Sequence, residues 1–147
     1  METPAPLGNF GNPVTGISKP FFIAGRPIPQ GSLKFINGHA IHVRAQDLAL
    51  WRADIANAAR AINISKAEGA VKIDLKFVFH RPKTVKRKEP SVRPDLDKLI
   101  RAVLDGLTDV AYKDDEQVTD LTASKSYGEQ QGVWIIVTDK EKSVTLL

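Results

Sequence analysis

The chain has 147 residues, of which 42% are hydrophobic and 26% are charged, with a formal net charge of +4 and no cysteine. This length predicts one domain with a single core. The absence of cysteine excludes disulfides, thiolate zinc sites and cysteine nucleophiles, so a bound metal would need carboxylate or histidine ligands. No segment approaches the roughly 18 consecutive apolar residues of a membrane span, and the first residues lack the features of a secretory signal, so we expect a cytoplasmic protein with no membrane partner.

The N-terminal segment has a composition typical of a flexible arm. Residues 1–18 contain three glycines and three prolines, and such a stretch buries too little apolar surface to offset its ordering entropy. We therefore predict a flexible arm over residues 1–18 and a folded domain over residues 19–147.

Short strands are predicted at the start of this domain. Residues 21–25 form the first one, and two prolines interrupt it soon afterwards because proline cannot occupy a central position in a sheet. The strand resumes at residues 33–36. The pair Asn37-Gly38 is a strong hairpin signal, which makes residues 39–43 the returning strand.

A change of period marks the first helix. From Asp47, which we expect to cap the helix, apolar residues recur at three- and four-residue spacing. These apolar positions are Leu48, Trp51, Ile55, Ala58, Ala59 and Ile62. Residues 71–79 then alternate apolar with polar residues through Lys76, which predicts a half-buried strand.

A second helix is predicted over residues 95–108, with its apolar residues on one buried stripe. The stripe consists of Leu96, Leu99, Ile100, Val103, Leu104 and Leu107. Because the stripe occupies one side, Asp97, Arg101 and Asp105, spaced four residues apart, share another face.

Two further strands are predicted at residues 118–124 and 133–138, around a turn at Gly128-Glu129. The elements together predict an α+β fold. We expect a single domain in which a mixed, mostly antiparallel sheet packs against two helices.

Charge of opposite sign is concentrated in two neighbouring segments. Residues 81–101 carry eight Lys/Arg and three Asp/Glu, whereas residues 105–120 carry six acids and one lysine. Positive charge attracts a polyanion, and the nearby carboxylates supply the hard oxygen ligands that magnesium prefers. The basic loop at residues 83–94 is either a solvated linker or a track for phosphate groups.

Two pairs of acids have both a structural and a metal-binding interpretation. Asp95 and Asp97 suit the first turn of a helix, as a cap and as a charge on the helix dipole, and Asp114 and Asp115 suit a turn. Alternatively, Asp95 in a non-helical cap position can fold toward Asp97, and the chain after the helix is long enough to bring Asp115 back beside them. The spacing permits a metal cluster but does not decide between the two interpretations.

Arg101 also has two interpretations. It follows Asp97 by one helical turn, where a surface ion pair contributes a few tenths of a kcal/mol. The alternative places its guanidinium at a substrate, where it stabilises charge that develops on a phosphorus-bound oxygen.

Three segments resemble a known family. They are GRPIPQGS at residues 25–32, RPDLDKLIRAVLDGL at residues 93–107 and YKDDEQV at residues 112–118. In this order they resemble the motifs of the RusA family of Holliday junction resolvases, and the resemblance extends over roughly residues 21–138.

The resemblance implies a magnesium-dependent, structure-specific endodeoxyribonuclease, with manganese as a substitute ion. It implies a homodimer, often encoded by phages, that resolves four-way DNA junctions by paired nicks in recombination and repair. A metal held by three acids would activate water and neutralise the scissile phosphate, with one or two ions. A two-fold dimer matches the approximate two-fold symmetry of a four-way junction.

The resemblance also implies roles for particular residues. Asp95, Asp97 and Asp115 match the metal-binding and catalytic acids, with Asp114 ranked second to Asp115. Arg101 matches a catalytic position where many members have lysine, and Lys98 replaces an asparagine found in many members. The residues expected to bind DNA are Lys34, Lys86, Arg87, Lys88, Arg93 and Lys98.

Two alternatives stay open at this point. One is a branched-DNA-binding protein without catalysis, in which the acids serve only as caps and turns. The other is a nuclease for flaps and other branched DNA.

Overall fold

A computed structural model describes residues 16–31, 33–42 and 45–142 of the chain. The prediction of a flexible arm concerns residues 1–18, most of which lie outside the described residues, so it stays a prediction. The elements in chain order are β1 (Phe21–Ala24), β2 (Leu33–Ile36), β3 (His39–His42), α1 (Ala45–Ala61), β4 (Val71–Phe79), α2 (Leu96–Leu107), a short 3-10 helix (Asp115–Gln117), β5 (Val118–Tyr127) and β6 (Gly132–Asp139).

Four strands form one mixed sheet in the order β1-β6-β4-β5. The β1/β6 and β4/β6 pairs are antiparallel and the β4/β5 pair is parallel. The sheet is therefore mixed and mostly antiparallel, and the predicted α+β class is confirmed. The strand predicted to resume after the prolines does not continue β1, since β2 pairs with β3 in a separate two-stranded sheet.

The two last strands are not neighbours in the sheet, although only a short connection joins them. β4 lies between β5 and β6, so the connection crosses the carboxyl end of β4. The amide of Gly128 donates to the carbonyl of Phe79 at 2.9 Å, and the amide of His80 donates to Oε1 of Gln131 at 3.2 Å. A Cβ atom at Gly132 would lie 2.3 Å from the carbonyl oxygen of Ile23, so only glycine fits where this connection enters β6.

Both helices cover one face of the sheet and pack against each other. The predicted face of α1 is buried at Leu48, Trp51, Ile55 and Ala59. The buried face of α2 consists of Leu99, Ala102, Val103, Gly106 and Leu107, while Leu96, Ile100 and Leu104 are partly buried against the core. The helices cross closely at Gly106, where a Cβ would lie 3.1 Å from the side chain of Ile55.

The predicted cap at the start of α1 is wrong. The helix begins at Ala45, which places Asp47 within its first turn and not at its cap. An acid in the first turn still interacts favourably with the positive end of the helix dipole, so the sequence signal marked the right end of the helix.

The core lies between the two helices and the inner face of the sheet. Val71, Ile73, Leu75 and Phe77 of β4 are fully or almost fully buried, as the alternating pattern predicts. Among the residues that the structure describes, no helix is both long enough and apolar enough to cross a membrane.

Candidate functional site

Asp95 lies at the N-terminal boundary of α2 but does not cap it with its side chain. Its backbone is extended, with φ −69° and ψ 139°, and its carboxylate accepts no hydrogen bond from the helix amides. The predicted structural role of this side chain is therefore wrong. Its ion pair with Lys98 is long, at 4.0 Å between Nζ and Oδ2, and both side chains are substantially exposed. Such a pair contributes little to stability, so the carboxylate stays accessible to a ligand.

Asp97 and Arg101 lie one turn apart on the exposed side of α2. Neither makes an ion pair or a side-chain hydrogen bond within the described part of the chain. The surface ion pair that the sequence allowed between them is absent there. Both groups are thus exposed on one helix face without being used by the fold.

Asp105, the third residue on this face, has a structural partner. Its Oδ2 accepts a hydrogen bond from Nη2 of Arg52 at 3.1 Å, and both side chains are about one-third exposed. This contact joins α2 to α1. The carboxylate of Asp105 therefore supports the helix packing, while it also adds negative charge to the same side of α2.

A tight reversal follows α2 and returns the chain toward the helix. The buried side chain of Tyr112 donates its hydroxyl hydrogen to the carbonyl of Leu104, and Thr108 donates to the same carbonyl at 2.9 Å. Burial raises the pKa of Tyr112, and the negative charges of Asp115 and Asp105 raise it further, against a lowering by the hydrogen bond with Thr108. Tyr112 thus stays neutral and holds the reversal to the helix.

The 3-10 helix after this reversal begins with a reciprocal capping box. Oδ1 of Asp114 accepts from the amide of Glu116 at 3.0 Å, and Oε1 of Gln117 accepts from the amide of Asp114 at 3.0 Å. The same Gln117 donates through Nε2 to the carbonyls of Ala67 and Gly69, each at 3.0 Å. Asp114 therefore serves the turn, as its structural interpretation proposed.

Asp115 is exposed and lies in a field of mixed charge. Partial desolvation raises the pKa of Asp115 most. A hydrogen bond with Asp114 and the negative charges of Asp114 and Asp105 raise it further, whereas the positive charge of Arg101 lowers it. These interactions place Asp115 within electrostatic reach of α2. The expectation that the chain returns far enough to bring Asp115 beside Asp95 and Asp97 stays a prediction.

The three predicted metal ligands do not form a closed cluster. Within the described residues, no group of three or more Asp, Glu or His side chains lies close enough together to hold a metal ion. Asp95 and Asp97 lie at the first turn of α2, while the interactions of Asp115 are with Arg101 and Asp105 farther along the helix. The assignment of these acids as metal ligands stays a prediction.

Lys125 holds the segment that leads into Asp95. Its Nζ, on β5, donates to the carbonyls of Val92 at 2.9 Å and Pro94 at 3.0 Å. Charge-assisted hydrogen bonds of this kind are stronger than neutral ones. The position of Lys125 was not predictable from the sequence, because nothing in a strand pattern shows that β5 pairs parallel to β4 and so comes near α2.

Gln117 was also missed, although a sequence signal for it exists. The spacing of Asp114 and Gln117 is that of a capping box, in which an acid or hydroxyl residue is followed three residues later by Glu or Gln. The additional bonds from Gln117 to the segment before β4 are visible only in the fold.

The segment between β1 and β2 docks onto the start of α2. The amide of Gln30 donates to the carbonyl of Lys98 at 3.0 Å, and Pro27 and Ile28 are buried. The first of the quoted motifs thus lies beside the second. This arrangement brings the two segments into one region of the surface.

The predicted DNA-binding residues are arranged around this region. Lys86, Arg87, Lys88 and Arg93 are exposed in the loop before α2, and Lys98 is half-buried in its first turn. Lys34 lies in β2, but its side chain is outside the described part of the structure.

Comparison with known proteins settles the family. The model of the family described as Endodeoxyribonuclease RusA matches residues 24–138, a span that includes both acidic motifs. The chain belongs to the RusA endodeoxyribonuclease family. It is also 31% identical to the uncharacterized protein YqaN of Bacillus subtilis (strain 168), over an alignment that covers 81% of this chain and 94% of YqaN. This RusA-family chain is therefore an endodeoxyribonuclease.

The chemistry of the acids fits a hard divalent ion. Asp95, Asp97 and Asp115 offer exposed carboxylate oxygens, which magnesium and manganese accept as ligands. The carboxylate of Asp95 does not cap the helix. Desolvation raises the pKa of Asp115, and the negative charges of Asp114 and Asp105 raise it further, so a cation at Asp115 would offset their repulsion. The donor types therefore suit the ion that the sequence implies.

Proposed function

We propose that this protein is a magnesium-dependent, structure-specific endonuclease that resolves four-way DNA junctions. Asp95, Asp97 and Asp115 are its metal-binding acids and Arg101 is its catalytic cation. The observation that carries the proposal is that three charged groups of the matched motifs, Asp95, Asp97 and Arg101, are exposed, whereas the fold uses Asp105 and Asp114 for packing and capping. Asp95 accepts no capping hydrogen bond, and Asp97 and Arg101 make no ion pair within the described residues.

Magnesium supplies Lewis-acid chemistry at the scissile phosphate when it is bound by these carboxylates. The chain's own groups bind and orient the substrate around it. Arg101 presents a planar guanidinium that donates to two phosphate oxygens and stabilises the charge that develops on them. Its exposure and its lack of an ion pair leave it available for that contact.

The metal ligands are held by two different supports. Lys125 fixes the carbonyls of Val92 and Pro94 immediately before Asp95. Gln117 and Asp114 fix the 3-10 helix that carries Asp115. Rigid support of this kind lets carboxylates from distant parts of the chain keep a common geometry with the phosphate.

Junction resolution requires two cuts, so the functional unit we propose is a homodimer. A four-way junction has approximate two-fold symmetry, and a two-fold dimer presents one site to each of two opposing strands. Exposed basic residues before α2 supply the attraction to phosphates that such an assembly needs. Recombination and repair are the processes in which such junctions arise.

The test is a panel of labelled substrates of equal length. Purified protein is incubated with a four-way junction, a flapped duplex and a linear duplex, each with magnesium, with manganese and with EDTA. We expect metal-dependent nicks in the junction and little cutting of the linear duplex. Binding without nicks on all substrates would contradict the enzyme and favour a DNA-binding protein, while preferential cutting of the flap would favour a flap nuclease.

A further inference from the structure

A cavity of about 130 Å³ opens beside the segment that leads into Asp95. Its walls come from the segment after β1, the end of β4, the basic loop and the end of β5. The lining residues are Arg26, Phe79, His80, Pro82, Arg87, Pro90, Val92, Arg93, Pro94, Lys125, Tyr127 and Gln131.

The charge of this cavity is of one sign. The described lining residues include three arginines and one lysine and no acid. Within the described residues, Arg26 and Arg93 make no ion pair, and the one side-chain bond of Arg87 is to the hydroxyl of Tyr127 at 3.1 Å. Cations grouped without a carboxylate repel one another, and a bound anion relieves that repulsion.

Lys125 has a different position in this cavity from the arginines. Its Nζ is held by the carbonyls of Val92 and Pro94, so it contributes charge without being free to follow a ligand. The arginines keep unused N–H donors, and their planar guanidinium groups suit phosphate oxygens. The apolar part of the wall, from the prolines and Tyr127, is suited to the sugar that accompanies a phosphate in a nucleic acid.

The cavity adjoins the proposed cleavage site. Pro94 lines it and is the residue immediately before Asp95. An anion bound there lies close to the phosphate that Asp95 and Asp97 would address. A DNA strand would therefore need only a few nucleotides to reach from the cavity to Asp95 and Asp97.

We propose that this cavity binds one backbone phosphodiester of the cleaved strand, a few nucleotides from the scissile phosphate. Arg26, Arg87 and Arg93 donate to its oxygens, and Lys125 adds fixed positive charge. This contact sets the register of the strand across the metal-binding acids. The inference rests on the proposed function, because it takes the cleaved strand to be DNA of a junction.

Chemical substitution of single phosphates tests this contact. Four-way junctions are prepared with one neutral methylphosphonate at each successive position around the cut site, and their affinities are measured by fluorescence anisotropy in EDTA, so that no cleavage intervenes. For the unmodified protein we expect one position at which the substitution weakens binding roughly tenfold, as expected for loss of a charge-assisted hydrogen bond. In Arg87→Ala and in Arg26→Ala, the penalty at that position should be smaller than in the unmodified protein, because each variant has already lost part of the interaction that the methylphosphonate removes.

Two control variants separate this contact from general loss of charge. Lys86→Ala removes a positive charge from the same loop at a residue that does not line the cavity, so it should lower affinity while preserving the positional penalty. Arg60→Ala removes an exposed charge from α1 and should leave the profile unchanged. Circular dichroism confirms that each variant is folded.

The outcomes distinguish this inference from the proposed function. A profile without a sensitive position, or a penalty of equal size in Arg87→Ala and Arg26→Ala, overturns the phosphate site even if the protein resolves junctions. A sensitive position at which both variants show a smaller penalty supports the site even if magnesium produces no nick. Failure to bind DNA at all overturns both.

Discussion

Asp95 and Asp114 have the same position relative to a helix, yet the fold uses them differently. Both precede a helix with an extended backbone. Asp114 accepts the amide of Glu116 and so completes a capping box, whereas the carboxylate of Asp95 accepts nothing from its helix. A capping side chain typically contributes about 1 kcal/mol. The side chain of Asp95 forgoes that stabilisation, and the metal-binding role that we propose for Asp95 would account for this.

The metal-binding role of α2 is tested at Asp97. Asp97→Asn removes a carboxylate charge with almost no change in shape, so we expect the nicking rate on a four-way junction to fall at least about a hundredfold, in line with the several kcal/mol that metal catalysis contributes. Junction binding should change little because it depends on basic residues. Single-turnover rates and anisotropy measure the two effects.

A matched control for this change is Asp120→Asn. Asp120 is an exposed acid on β5, and its partner is Lys140. We expect it to cut at the normal rate. If Asp97→Asn also cuts at the normal rate, the assignment of the metal ligands is wrong.

The role of Arg101 has its own test. Arg101→Ala should lower the single-turnover rate by about 100- to 1,000-fold, the effect of losing one preorganised donor to a developing oxyanion. Arg101→Lys should restore part of the rate, since the charge returns without the planar pair of donors. The thermal midpoint should stay near that of the unmodified protein because the side chain is exposed and unpaired. An unchanged rate in Arg101→Ala would contradict the catalytic role of Arg101.

At the scale of elements, the 3-10 helix depends on one glutamine. The side chain of Gln117 accepts from two amides and donates to two carbonyls. Gln117→Ala therefore removes all four of these hydrogen bonds. We expect faster hydrogen exchange at residues 113–117, a stability loss of about 1–2 kcal/mol typical of a lost cap, and a lower nicking rate. Hydrogen exchange with mass spectrometry and a denaturant melt measure the first two effects.

The matched change is Glu116→Ala, which lies in the same turn and leaves the anchoring side chain intact. It should leave the exchange at residues 113–117 slow. Slow exchange in Gln117→Ala as well would show that the turn is held by other contacts.

Sequence periodicity predicted the elements whose pattern is local. The three- and four-residue spacing located α1 and α2, and alternation located β4, because each pattern records one buried face. The order of the strands was not predictable in this way. Nothing local shows that β4 separates β5 from β6, and hence that Lys125 reaches the carbonyl of Pro94.

The sequence nominates residues for the candidate site but does not give their arrangement, and their roles stay predictions. The acids and Arg101 came from charge spacing and from the resemblance, both of which are readable along the chain. The free carboxylate of Asp95 and the hydrogen bond from Arg52 to Asp105 depend on how the chain folds. Residue spacing carries no information about either. The partners that hold the site, Gln117 and Lys125, act across many residues of sequence.

For the molecule as a whole, the parallel pairing of β4 with β5 is the feature that assembles this region. It directs β5 along the sheet edge so that Lys125 approaches the start of α2, and its end at Tyr127 lines the basic cavity. The segment after β1 also contacts the start of α2, where the amide of Gln30 donates to the carbonyl of Lys98. In the function that we propose, this region of one protomer makes one cut, and paired nicks require two protomers.

The most direct measurement uses a supercoiled plasmid that extrudes a four-way cruciform. A dimer that cuts two opposing strands within one binding event converts this plasmid to linear DNA, whereas independent single cuts yield nicked circles. We predict linear product with magnesium, none in EDTA, and none from a matched plasmid without the cruciform. Absence of cutting with magnesium, or equal cutting of the plasmid without a cruciform, would contradict junction resolution by this protein.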